Sequence, residues 1–378
     1  MPAAVLRAMP LASRNFGLVG RIVVGRISSW IDARAPRQPS CLMTSDTPIH
    51  LIWHGRFGER RWIEFLLSPL SVIHSGAEAA VDDAQSPVIH AVSTGNKGLP
   101  KDSGTSQRIR ADIDAGKKVG LIHLSDEWFR CDTSWYQGAA FVLKFYYCSF
   151  ISHPAIKYLP LGCPEHMATP ERIRPASERG LLWSFCGQRK YSRVEMLAAL
   201  EAVKPHKYPQ EYISSEEYEG MVNDTVFAPC PMGNTTPDTW RLYESLEAGC
   251  IPVVEKRWTI DYFGRLFPDG CPIPRFQSWA AAARWVQAQS GEERDRLQRE
   301  IQHWWTSEKA KLREQVSQFV AERFAQHPAG SLVDWTPPYK GAMHSLRWMA
   351  ELCRYTTPQA LIARILKYVG WSSFARRR

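Results

Sequence analysis

An α/β fold with two parallel-sheet lobes is what this sequence predicts, and three observations carry it. Compact apolar runs alternate with polar or amphipathic connections along most of the chain, the pattern of strands and crossover helices. At 378 residues the chain is long for one core. Residues 223–255 then spell out a strand, loop, helix and strand with nearly every boundary marked.

Residues 1–44 are expected to stand apart as a basic extension, either disordered or amphipathic. Six arginines (7, 14, 21, 26, 34 and 37) face only Asp32, and the apolar stretch 16–31 is broken by Arg21 and Arg26. No run there reaches the roughly 18 apolar residues of a spanning helix, and no small-residue cleavage site follows one. Three readings stay open: a membrane-surface helix, a transit-like segment, or sequence upstream of a true start at Met43. With Arg376, Arg377 and Arg378, these arginines carry nearly all of the formal net charge of +9. The body is close to neutral, which argues against a nucleic-acid partner. Nine scattered cysteines, never in a CxxC pair, suit reduced thiols. The expected location is therefore cytoplasmic, with peripheral contact at the inner membrane face left open through the basic termini and Trp371 and Phe374.

The first lobe is expected over 45–170. Residues 49–55 read as a strand, 60–67 as a helix, and 87–92 and 118–124 as further strands. The strand ending at Leu124 stops at Ser125-Asp126-Glu127, so two acids stand at a strand's carboxyl end, where open α/β sheets put their ligand groups. Either Asp126 or Glu127 could take a proton from an attacking hydroxyl; equally, Ser125 with its acids could cap the next helix. His123 on that strand reads as packed or hydrogen-bonded. The aromatic run 135–147, with Lys144 inside it, reads as core or as a sugar platform. Residues 156–162 form a strand leaving the lobe, and 164–179, with three prolines, a linker.

The second lobe is expected over 171–300. It opens with a strand at 181–187, a basic turn through Arg189, and a helix from Ser192 that carries Arg193. Gly187 lets backbone approach a ligand, and the arginines surround a helix N-terminus that favours an anion. No GxxxxGK[ST] or GxGxxG pattern is present. A short helix at 216–222 precedes a strand at 225–228. Thr236 then reads as a helix cap, Pro237 as the first helical residue and Asp238 as a charge on the helix dipole. That helix ends at Gly249, and 251–254 is a buried strand. Trp258, Asp261 and Tyr262 lie in a loop, 273–276 is a last strand, and 277–324 is strongly helical. Residues 301–378 are expected as C-terminal helices, with 346–369 able to cross back to the first lobe. On the helix before Gly249, Arg241 and Glu244 are three apart and share a face. A guanidinium and a nearby helix N-terminus suit a diphosphate, and a carboxylate one turn on suits the hydroxyls of a ribose. The competing reading is an ion pair on a solvated helix.

The residues Pro231-Met232-Gly233, then Arg241-Leu242-Tyr243-Glu244-Ser245-Leu246, then Gly249-Cys250-Ile251-Pro252-Val253-Val254, resemble the donor-binding segment of the exostosin-like glycosyltransferases. The resemblance covers about 181–276; where the family often has Ser before the Arg, this chain has Trp240. It implies a GT-B fold of two Rossmann-like domains around a cleft. It also implies inverting hexosyl or pentosyl transfer, as in polysaccharide biosynthesis, from a nucleoside diphosphate sugar, UDP being the expected nucleotide, to a glycan or polyol hydroxyl. Gly187, Arg189, Arg193, Gly233, Arg241 and Glu244 would hold the donor, Asp126 or Glu127 would be the base, and neither a metal nor a separate cofactor is expected. Asp82, Asp83, Asp112 and Asp114 read as surface. Two other classes remain: a metal-dependent hydrolase, for which His50 and His54 are poorly spaced on a strand, and a non-catalytic glycan-binding protein of the same fold.

Overall fold

The computed structural model describes residues 47–77, 86–94, 99, 103–127, 129, 133–148, 151–167, 169–190, 192–256 and 261–327. The expectations for 1–42, for Asp82 and Asp83, for Trp258 and for the tail over 346–369 with Trp371 and Phe374 lie outside the described residues.

The first lobe runs β1 (Ile49–Trp53), α1 (Arg60–Leu67), β2 (Val72–Gly76), β3 (Val88–Val92), α2 (Gly104–Asp114), β4 (Val119–His123), β5 (Phe141–Lys144) and β6 (Ile156–Tyr158). Its six strands lie in the order β2-β1-β3-β4-β5-β6, with every pair parallel. β3 and β4 are buried along their whole length, which is why their sequences run apolar without alternation. Two strands of this lobe escape the sequence reading. β2 is an edge strand with Ile73 and His74 exposed, so it carries no apolar run. β5 hides inside the aromatic run, and its Lys144 is wholly buried because Asp126 meets it at 3.4 Å. Asp112 is a correction: it is buried, not on the surface. Arg108, Lys117 and His90 reach its carboxylate at 2.9, 3.0 and 3.3 Å. Burial opposes the charge, but these three donors outweigh it and hold the group below the usual carboxylate range.

The second lobe runs β7 (Leu181–Ser184), α3 (Ser192–Leu200), β8 (His206–Lys207), α4 (Ser215–Asn223), β9 (Thr225–Cys230), α5 (Trp240–Glu247), β10 (Ile251–Glu255), α6 (Tyr262–Leu266), β11 (Arg275–Phe276) and α7 (Trp279–Ala288). Its strands lie in the order β11-β10-β9-β7-β8, again all parallel. β9 continues through Pro229 instead of stopping before it. β7 pairs with β9 only as far as Phe227, so the residue without an N–H extends the strand past the end of that neighbour. The start of α5 is a second correction. Its first residue is Trp240, not Pro237, and its N-cap is the extended Thr239, not Thr236. Asp238 is drawn out of the helix into the interior, where the Tyr243 hydroxyl donates to it at 2.6 Å.

The helical stretch expected over 277–324 divides after α7, where Ser290 caps α8 (Gly291–Gln326) through the Glu293 N–H. This 36-residue helix, about 54 Å long, joins the two lobes, a role the sequence reading had left to the tail beyond it. Gln298 and Gln302 cap the carbonyls of Gly249 and Leu246 at the end of α5, each at 2.7 Å. Trp305 donates to Glu247 at 2.8 Å and stacks on Trp62 of α1 with ring centroids 6.0 Å apart. Farther along, Ser317 donates to the Leu66 carbonyl, and Phe319 and Phe324 pack on Phe141 of β5.

Candidate active site

In each sheet the strand order reverses beside its first strand, between β1 and β3 and between β7 and β9. Ligands of open α/β sheets collect at the carboxyl ends of strands near such a switch. A cavity of about 440 Å³ lies at strand carboxyl ends of both sheets, at the switch between β7 and β9 in the second lobe and beside β4 and β5, away from the switch, in the first. Glu127 and Tyr146, which follow β4 and β5, line it from the first lobe with Leu161 and His166. Cys186, after β7, and the loop from Pro231 to Thr239, after β9, line it from the second, together with the α5 face of Trp240, Arg241 and Glu244.

The second-lobe wall is cationic. The Arg241 guanidinium lies 4.4 Å from the centre of the Phe185 ring, donates to the Cys186 carbonyl, and reaches the Tyr218 hydroxyl at 3.4 Å. Arg193 sits 5.9 Å from the same ring. Burial lowers the Arg193 pKa and the charge of Arg241 adds to it, so two guanidiniums repel each other across one aromatic ring at the cavity edge. An anion bound there relieves both. Glu244 is buried and accepts from the Tyr218 hydroxyl, while His166 Nε2 stands 3.3 Å from its other oxygen. Burial favours the neutral acid, but His166, Arg241 and Tyr218 prevail and hold Glu244 below its ordinary value. The bond to Glu244 raises His166 in turn. Near the foot of α5 the Thr239 hydroxyl is buried without a partner among the described residues, a polar atom on the cavity wall that a ligand could satisfy.

The first-lobe wall is acidic and backbone-strained. Asp126, Phe129 and Tyr146 have φ of +79°, +52° and +59°, a region that side chains other than glycine seldom adopt, and all three lie beyond the carboxyl ends of β4 and β5. The turn at Asp126 sends its side chain inward to Lys144 and leaves Glu127 facing across the cleft. The Glu127 carboxylate accepts from the Asn234 N–H, from Asn234 Nδ2 at 2.6 Å and from the Thr235 N–H at 3.2 Å, while the Thr235 hydroxyl donates to the Glu127 carbonyl. Asp238, on the second-lobe loop that faces this wall, is a further acid on the cavity. Burial pushes its carboxyl up to about 7, against hydrogen bonds from Tyr243 and Tyr262.

Of the residues singled out in the sequence, the structure brings Glu127, Arg193, Gly233, Arg241 and Glu244 together on this cavity. Asp126, Gly187 and Arg189 lie off its lining. Asp126 is sealed beneath the wall with Lys144, and Gly187 and Arg189 are exposed on the turn that follows β7. His123 is buried and bonded to Thr94 Oγ1 at 2.8 Å and to the Tyr136 hydroxyl at 2.6 Å, as a packed strand histidine should be. His54 meets His90 Nδ1 at 2.9 Å, and among the described residues no group of three or more His, Cys, Asp or Glu is arranged to hold a metal ion. Sequence reasoning missed His166, Tyr218 and Thr239 as wall residues, which lie in no local pattern, and it placed Asp238 on a helix dipole, although its partner Tyr243 stands five residues along; Tyr146 belongs to the aromatic run 135–147, read as core or as a sugar platform.

No protein-family model matches this sequence, and no curated protein matches it significantly. Among solved structures the chain is similar to Anabaena HepE in complex with UDP and glucose, at 8% identity and a TM-score of 0.47, over 74% of this chain and 100% of that one. It is also similar to a UDP-glucosyltransferase from Polygonum tinctorium capable of glucosylating indoxyl and 3,4-dichloroaniline. There the identity is 10% and the TM-score 0.36, over 74% of this chain and 99% of that one.

Proposed function

We propose that this protein is a glycosyltransferase of GT-B architecture that moves a sugar from a nucleoside diphosphate donor, UDP being the expected nucleotide, onto a hydroxyl of a glycan or polyol with inversion. The observation that carries this reading is that Arg241 and Glu244, from one face of α5, line the inter-lobe cavity instead of facing solvent. In this reading Arg241 and Arg193 neutralise the diphosphate and Glu244, oriented by Tyr218 and His166, accepts from the ribose hydroxyls. Glu127, on the opposite wall, is the base. The acceptor oxygen attacks the anomeric carbon as its proton passes to Glu127; the bond from that carbon to the phosphate oxygen breaks, and its electron pair leaves with the diphosphate. Fixed cations at the departing diphosphate typically supply several kcal/mol of such a barrier reduction. Asp126 is the weaker candidate for the base because Lys144 already pairs with it away from the cavity. The exostosin-like assignment rests on the motif residues, and a cytoplasmic location is proposed on the cysteine content. No helix among the described residues is long and apolar enough to cross a membrane.

A thermal-shift panel of nucleoside diphosphates tests the donor site. UDP is expected to stabilise the wild type and to have little effect on Arg241→Ala. Equal shifts in the two proteins would remove Arg241 from the donor site.

A further inference from the structure

The contact between Glu127 and the loop after β9 is more than a wall-to-wall hydrogen bond. Two backbone N–H groups, of Asn234 and Thr235, and the Asn234 amide converge on one carboxylate from the other lobe. Successive backbone N–H groups pointing at one spot form an anion seat, independent of any helix end. α5 begins only at Trp240, five residues past Thr235. Gly233 borders the same seat: a Cβ there would lie 2.5 Å from Glu127 Oε1, so the residue type keeps open the space an oxygen needs. The seat faces the cavity that holds Arg193 and Arg241, and Arg193 feels the Glu127 charge.

We propose that this seat takes a phosphate of the donor, that Glu127 occupies it as an internal stand-in until the donor displaces it, and that displacement is what frees Glu127 to act on the acceptor. The inference rests on the donor reading above and adds an order to it. Three donors serve one anion at a time, so the carboxylate and a phosphoryl oxygen compete. The donor's apparent affinity is then reduced by the fraction of molecules in which Glu127 is seated. While the loop holds Glu127, three donors engage its oxygens and compete with an acceptor hydroxyl for them, so transfer is favoured once the donor has entered.

Calorimetric titration of the full chain with UDP, combined with amide exchange over residues 233–235, tests this on wild type, Glu127→Ala, the conservative Glu127→Gln, and Arg241→Ala. Both Glu127 variants are expected to bind UDP roughly tenfold more tightly than wild type while losing transfer. A residue that merely supported the wall would weaken both. The Asn234 and Thr235 amides should be protected in wild type with or without UDP, and in Glu127→Ala only when UDP is present. Should Glu127→Ala fail to fold, Glu127→Gln carries the affinity test alone. UDP binding that is equal or weaker in the Glu127 variants, with Arg241→Ala still impaired, overturns the displacement while leaving the donor site standing. No UDP binding by wild type or by either Glu127 variant overturns both.

Discussion

At the residue scale, the cavity's chemistry comes from pairs that set each other's charge. His166 and Glu244 are the clearest. His166 is raised by its bond to Glu244, so the stabilisation it contributes is fully present below its unfolded value near 6.5 and is lost as pH rises through its higher folded value. Glu244 is lowered, so its part is present above 4.5 and is lost as pH falls through its folded value. Because the His166 side chain is 46% exposed, screening keeps the effect small. The melting temperature of wild type should therefore exceed that of His166→Gln at about pH 5.5, with the gap closing towards about pH 8.5. A gap of the same size at both ends would show that the pair does not titrate as a unit. Arg241 and Glu244 were legible in the sequence because their spacing is local and their motif is short. His166 and Tyr218 were not, since they reach Glu244 from 78 and 26 positions away, distances no periodicity encodes. Which of Asp126 and Glu127 faces the cavity was closed to the sequence for a different reason. It depends on a backbone angle of +79° at Asp126, which turns one acid inward and leaves the other on the cleft.

At the element scale, α5 and its two ends determine what the second lobe presents. The helix was expected three residues too early because Thr236, Pro237 and Asp238 form a good helix start by local chemistry. Tertiary structure overrides it by burying Asp238 beneath Tyr243 and Tyr262, and the residues so released form the cavity loop. The far end was read correctly. Gly249 has φ +71°, and a Cβ there would stand 2.3 Å from Ile173 Cγ2 as well as against the Arg179 guanidinium. Gly249→Ala should cost at least about 1–2 kcal/mol from the left-handed backbone alone, with the clash added, and lower the melting temperature by several degrees. An unchanged melting temperature would mean that the strand entering at Ile251 has slack that the packing does not show. Of the strands missed by sequence, β2 is an exposed edge, β5 carries a buried lysine whose partner lies 18 residues upstream, and β8 is only two residues long.

At the scale of the whole molecule, two parallel sheets turn their carboxyl ends towards one cavity, and α8 ties both lobes together through Trp305 and the glutamines above it on one side and through Ser317, Phe319 and Phe324 on the other. The alternation of strands and helices made the two lobes legible, whereas the helix that joins them was not. Its crossing depends on which side chains meet Trp62 and Phe141, and an amphipathic pattern does not say what it packs against. The central claim is that the α5 face holds the nucleotide half of an activated sugar between these lobes. A crystal structure of the full chain with UDP tests it most directly. The expected result is a diphosphate within hydrogen-bond reach of Arg241 and Arg193 and of the Asn234 and Thr235 N–H groups, with the ribose hydroxyls on Glu244. UDP bound elsewhere, with Arg241 and Glu244 still engaged only with Cys186, Tyr218 and His166, would contradict it.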